Sequence, residues 1–151
     1  MATMKERLQD DLTAAMRERD EVRTATIRMV LTAITNEEVA GKQARALGDD
    51  EVVRVLGREA KKRREAAEAY EQGGRPDRAE RERAELAVIE AYLPEQLTDD
   101  ELASLVAAAI AEAGAAGPQQ MGQVMKLVTA RVTGRAEGSR VAAEVRRQLA
   151  G

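Results

Sequence analysis

The sequence predicts an all-α protein, with an N-terminal helical hairpin domain over residues 1–94 and a small C-terminal three-helix bundle over residues 95–151. The 151-residue chain is rich in Ala, Glu, Arg and Leu, all strong helix formers, and has only three prolines to interrupt them. Its apolar residues recur every three to four positions, the period of one helix face. Phe, Trp, Cys and His are absent, so Leu, Ile, Val, Met and Ala must fill the core, which suits thin helical layers.

The first helix is expected over about Thr3–Arg19, with Thr3 and Glu6 at capping-box spacing and Met4, Leu8, Leu12, Ala15 and Met16 inward. Asp20 can cap a second helix running to about Ala40, with Val22, Thr26, Met29, Val30, Ala33 and Ile34 inward and Ile27 and Leu31 widening that face. Gly41 to Gly48 reads as a loop. Asp49 or Asp50 then starts a third helix carrying Val52, Val53, Leu56, Ala60, Ala67 and Tyr70. Gln72-Gly73-Gly74-Arg75 breaks it, and Pro76 suits the first position of a fourth helix, where its missing N–H is not needed. Pro94 excludes helical backbone from the residue before it, so this helix must end near Leu93, and the third and fourth helices form a long antiparallel hairpin.

A new unit follows. Thr98 and Glu101 have capping-box spacing and Leu97 and Leu102 hydrophobic-staple spacing, a strong helix start. Leu102, Leu105, Val106, Ala109, Ile110 and Ala113 form one stripe, and Gly114 to Pro118 ends it. Met121, Val124, Met125, Val128 and Val132 make a second stripe, and Val141, Ala142, Val145 and Leu149 a third. Gly134 separates the last two, since glycine enters the left-handed region without steric cost.

Without Cys or His there is no thiol nucleophile, imidazole base or usual zinc site, and no disulfide framework. No metal or cofactor is expected. The N-terminus lacks the apolar core of a signal peptide and no run reaches the ~20 apolar residues of a membrane span, so the expected location is the cytoplasm.

Charge is unevenly distributed. From Pro118 onward, six bases (Lys126, Arg131, Arg135, Arg140, Arg146 and Arg147) face two acids, a net of +4, whereas residues 1–117 carry a net of −7. The basic end is where a polyanion would be met, unless these are ordinary solvated faces. The cluster Arg58, Lys61, Lys62, Arg63 and Arg64 has Glu59, Glu65 and Glu68 at helical neighbour spacing and reads as a solvated, self-compensated face.

Tyr92-Leu93-Pro94-Glu95-Gln96-Leu97, Met121-Gly122-Gln123-Val124-Met125-Lys126 and Gly134-Arg135-Ala136-Glu137-Gly138 closely resemble the YqeY family, stand-alone proteins of the GatB/YqeY superfamily. Ile27-Arg28-Met29, Asn36-Glu37-Glu38 and Lys61-Lys62-Arg63 are similar to it too, so the resemblance spans nearly the whole chain. Gly122-Gln123-Val124-Met125-Lys126 further resembles the C-terminal tail of the GatB subunit of the bacterial glutamine-dependent tRNA amidotransferase. The resemblance implies an all-helical fold and, for the tail-like part, engagement of tRNA. By similarity it also links the chain to a carbon–nitrogen ligase with glutamine as amide donor, whose catalytic modules this chain lacks. Glu137 stands where the family commonly has Asp or Asn, a better helix cap.

The favoured expectation is an accessory module that binds tRNA or another structured RNA through Lys126, Arg131, Arg135, Arg140, Arg146 and Arg147, with Gly134 allowing close backbone approach. Two tyrosines are the only aromatics, so folded RNA shape rather than stacked single bases would be recognised. The alternative is a protein–protein interaction module without RNA binding, with an amidotransferase among the conceivable partners. Catalysis by this chain alone ranks third: Asp99/Asp100 and Glu37/Glu38 have commoner roles as first-turn dipole partners or surface charge.

Overall fold

The structure, a computed structural model describing residues 1–151, consists of seven α-helices and no strand. They are α1 (Met4–Arg17), α2 (Glu21–Glu38), α3 (Asp49–Gln72), α4 (Pro76–Glu90), α5 (Asp99–Ala113), α6 (Met121–Val132) and α7 (Gly138–Ala150), with a 3₁₀ turn at Pro118–Gln120. None is long and apolar enough to cross a membrane. The chain divides into two compact units, Met1–Leu93 and Pro94–Gly151.

In the first unit, Leu8, Ile27, Val30, Ile34, Val52, Val55, Leu56, Ala60, Ile89 and Tyr92 form one buried core. Thr3 Oγ1 accepts from the Glu6 N–H (3.1 Å) and Asp20 Oδ1 from the Arg23 N–H (3.1 Å), so both helix starts are capped by the expected side chains. α1 ends two residues before the expected Arg19, which itself takes the left-handed conformation (φ 57°). α3 and α4 pair as the long hairpin, Pro76 standing at the start of α4. α4 stops at Glu90, and the Tyr92 hydroxyl at its end donates to Asp11 of α1.

Three expectations need correction here. Met16 is 49% exposed rather than inward, because it stands in the last turn of α1 at the edge of the stripe that Leu8 and Ala15 centre, where its sulfur accepts from Arg28 (3.6 Å). Met29 is 40% exposed rather than inward, because Ile27 and Val30 already fill that level of the core and Met29 sits at the stripe's edge. Arg63 does not belong to a solvated face. It is 7% exposed, donating to Glu59 Oε1 (2.8 Å) and to the Glu59 carbonyl (3.2 Å), with its Nε 3.4 Å from Glu85 Oε1 across the hairpin. Lys61 and Lys62, by contrast, are paired along their own helix with Glu65 and Glu59.

In the second unit, Leu97, Leu102, Val106, Ala109, Val124, Val128, Val132, Val141, Val145 and Leu149 form a separate core. Thr98 and Glu101 complete the capping box, the Thr98 N–H donating to Glu101 Oε1 (3.0 Å) and the Glu101 N–H to Thr98 Oγ1 (3.1 Å). Gly114 (φ 65°) and Gly134 (φ 76°) both take the left-handed conformation that ends a helix. Glu137 flanks α7 without a side-chain capping bond, so α7 begins only at Gly138.

Candidate nucleic-acid interface

α5, α6 and α7 each present a buried stripe at 3.6-residue spacing, and together they close a three-helix bundle. The six bases of its last two helices therefore have to leave the bundle on its outer surfaces. They do so in different directions and in different bonding states.

Four are engaged. Arg131 reaches back to Glu112 of α5, and Arg147 pairs with Glu144 one turn earlier (2.7 Å), holding that carboxyl below its ordinary pKa. Arg135 Nε donates to the Glu95 carbonyl (3.0 Å). Arg140 donates to the Leu97 carbonyl (2.6 Å) and to Asp99 Oδ1 (2.9 Å). The last two belong to a strap: the Leu97 N–H donates to the Arg135 carbonyl (2.8 Å) and Gln96 Nε2 to the Gly134 carbonyl (2.8 Å). The Pro94–Leu97 segment is thus tied to the α6–α7 turn, and Gly134 serves as turn and acceptor within it.

Lys126 and Arg146 are exposed and make no ion pair or hydrogen bond. Their directions follow from helix geometry at 100° per residue. Val128 marks the centre of α6's buried stripe; Arg131 lies about 60° to the side facing α5, and Lys126 about 160° the other way round. On α7, Glu144 and Gln148 mark the α5 side, since Gln148 Nε2 donates to the Ala103 carbonyl (2.9 Å), and Arg146 lies about 100° from Val145 on the opposite flank. α6 and α7 run antiparallel from their shared turn. Both cations leave the bundle on the side away from α5.

The same geometry sets Gly122, Thr129, Ser139 and Ala143 on that side, all exposed, small and uncharged. A Cβ added at Gly122 would meet nothing within 4 Å. No acid lies one helical turn from either cation: Lys126 has Gly122, Gln123, Thr129 and Ala130, and Arg146 has Ala142, Ala143, Leu149 and Ala150. These small residues were missed when cations alone were sought. The absence of a carboxylate at helical neighbour spacing was the signal that would have found them.

No group of three or more acidic side chains is placed to hold a metal ion. Fold and site together define a two-unit, all-helical protein whose C-terminal bundle offers a small, acid-free cationic face. The chain belongs to the YqeY family: the family model described as Yqey-like protein matches residues 5–149. Comparison with the curated proteins returns no match.

Proposed function

We propose that the chain is an accessory module that binds tRNA or another folded RNA through the α6–α7 face, in functional association with tRNA-dependent amidation rather than as its catalyst. The observation that carries this reading is the pair Lys126 and Arg146, unpaired and similarly directed on a face without acids. Small neighbours let a phosphate backbone approach closely, and each unpaired cation can take a phosphate oxygen. Arg131 and Arg147, held in exposed pairs with Glu112 and Glu144 on the α5 side, lie off this face. Family membership is compatible with this, and the resemblance of Gly122–Lys126 to the GatB tail points to the same face.

The test is fluorescence-anisotropy titration of bulk tRNA against salt. Two neutralised phosphates give a slope of log K on log salt of about −1.4 to −1.8, and four about −2.8 to −3.6. Lys126→Glu with Arg146→Glu should abolish binding with the thermal midpoint unchanged. Retained binding by that double variant refutes the α6–α7 face.

A further inference from the structure

Two tyrosines are the only aromatic side chains, and the fold uses them differently. Tyr92 is buried, its hydroxyl donating to Asp11 and its ring covered by Arg7, whose guanidinium carbon lies 5.6 Å from the centroid. Tyr70 stands in the last turn of α3 and is only half-buried. Exposed Arg78, in the first turn of α4, lies over its ring at 5.8 Å. The pair spans the turn at the tip of the α3–α4 hairpin, where Gly73 and Gly74 add no side chain to screen it.

The hairpin is closed without this stack. The Gly73 N–H donates to the Ala69 carbonyl (2.9 Å), the Arg75 N–H to the Tyr70 carbonyl (2.8 Å), and Arg83 pairs with Glu71 between the helices (3.2 Å). Helical spacing would pair Arg78 with Glu82, four residues on. Glu82 is instead half-buried, its charge engaged by Glu85, Arg63 and Arg81, which leaves Arg78 with the Tyr70 ring alone. A guanidinium is planar, so the ring occupies one of its faces and the other is free to stack. Three residues earlier, Arg75 meets Asp77 through two bonds of 3.4 Å, a long and solvent-exposed pair that yields readily to a phosphate.

We infer that the hairpin tip takes an unpaired nucleobase of a folded RNA onto the free face of Arg78, backed by Tyr70, while Arg75 takes the adjoining phosphate. Bases splayed from loops and bulges stack on guanidinium planes as well as on aromatic rings, and every base has a π-face to offer. Side chains three residues apart at a helix start stand about 5–6 Å apart at Cβ, the scale on which a nucleotide separates its base from its phosphate. An acidic peptide would use the two charges but leave the stacked planes idle, so a nucleotide fits the pair better. The inference rests on the RNA reading for the source of the ligand and adds a contact on the first unit, separate from Lys126 and Arg146.

The experiment uses the full chain with ring-¹³C-labelled tyrosine, in the Lys126→Glu, Arg146→Glu background so that binding at α6–α7 does not contribute. Titration with a single-stranded adenine hexamer should shift Tyr70 saturably and leave Tyr92 still. The same ribose-phosphate chain without bases should not move it. One phosphate contact gives a slope of log K on log salt of about −0.7, which Arg75→Gln should bring to near zero. Arg78→Lys keeps the charge but loses the plane and should weaken binding about tenfold, with circular dichroism confirming that the variants fold. The inference is overturned if Tyr70 does not move, if the base-free chain or hexaglutamate moves it as far, or if Arg78→Lys binds as tightly as its parent. The two readings fail separately: Tyr70 reports only the hairpin tip, and the anisotropy of the double variant reports only the α6–α7 face.

Discussion

Replacing Arg140 with alanine separates a cation that holds the bundle together from one that is free to meet a ligand. The guanidinium donates to the Leu97 carbonyl at 2.6 Å and to Asp99 at 2.9 Å, and Leu97 itself is 5% exposed in the second unit's core. A hydrogen bond from a charged donor contributes about 1.5–3 kcal/mol. The Asp99 pair adds little, because that carboxylate is 97% exposed. With Arg140 one-third exposed, the bond to Leu97 must be discounted for solvent screening, leaving about 1–2 kcal/mol. For a unit of this size that is a fall of about 4–15 °C in the midpoint of its transition. The assay is thermal unfolding of the full chain combined with native-state hydrogen exchange at the Leu97 amide, which the strap protects through its bond to the Arg135 carbonyl. Lys126→Ala is the matched control, losing tRNA affinity with no change in either stability readout. If Arg140→Ala leaves the midpoint within about 1 °C and the Leu97 exchange rate unaltered, the strap contributes nothing and Arg140 returns to the pool of ligand contacts.

Other outcomes follow from buried polar groups. Arg63→Met removes the cation shared by Glu59 and Glu85, 8% and 9% exposed, which keep Lys62 and Arg81 as partners, and should cost about 1.5–3 kcal/mol in urea unfolding, whereas the apolar triple change Glu59→Leu, Arg63→Met, Glu85→Leu should recover most of it. Thr26 is fully buried with an unsatisfied Oγ1, so Thr26→Val should raise the urea midpoint by an amount worth about 1 kcal/mol at unchanged m-value. Burial raises the Glu59 carboxyl, but hydrogen bonds from Lys62 and Arg63 outweigh it and leave the pKa below 4.5; Arg45 brings Glu51 down to about 2. Groups with depressed folded values stabilise above their unfolded pKa and lose that contribution as pH falls, so the thermal midpoint should drop from about pH 5 downward. Glu82, raised by burial and by Glu85, acts with the opposite sign and softens the drop. With no histidine, the midpoint should be nearly flat between about pH 6 and 8.

Where short-range signals decide, sequence and structure coincide. Thr3, Asp20, Thr98 and Pro76 start helices as read, because a cap or a fixed φ acts within three or four residues. The stripe of α7 is likewise a property of spacing alone, and so is the Arg147–Glu144 pair at i, i+3. Arg63 was misplaced because its burial comes from Glu85, twenty-two positions away on the facing helix. Arg131 was placed among free cations because nothing acidic lies one turn from it, and its partner Glu112 sits on α5.

The sequence by itself determined the helices, their caps and buried stripes, and the charge imbalance that makes the last 34 residues basic. Tertiary structure alone decided which of those bases remain available. Helix periodicity is local and survives translation into three dimensions unchanged, whereas the partner of a long cation is chosen by whichever carbonyl or carboxylate the folded bundle brings within about 3 Å. That choice ties Arg135 and Arg140 into the Pro94–Leu97 strap and leaves Lys126 and Arg146 facing solvent.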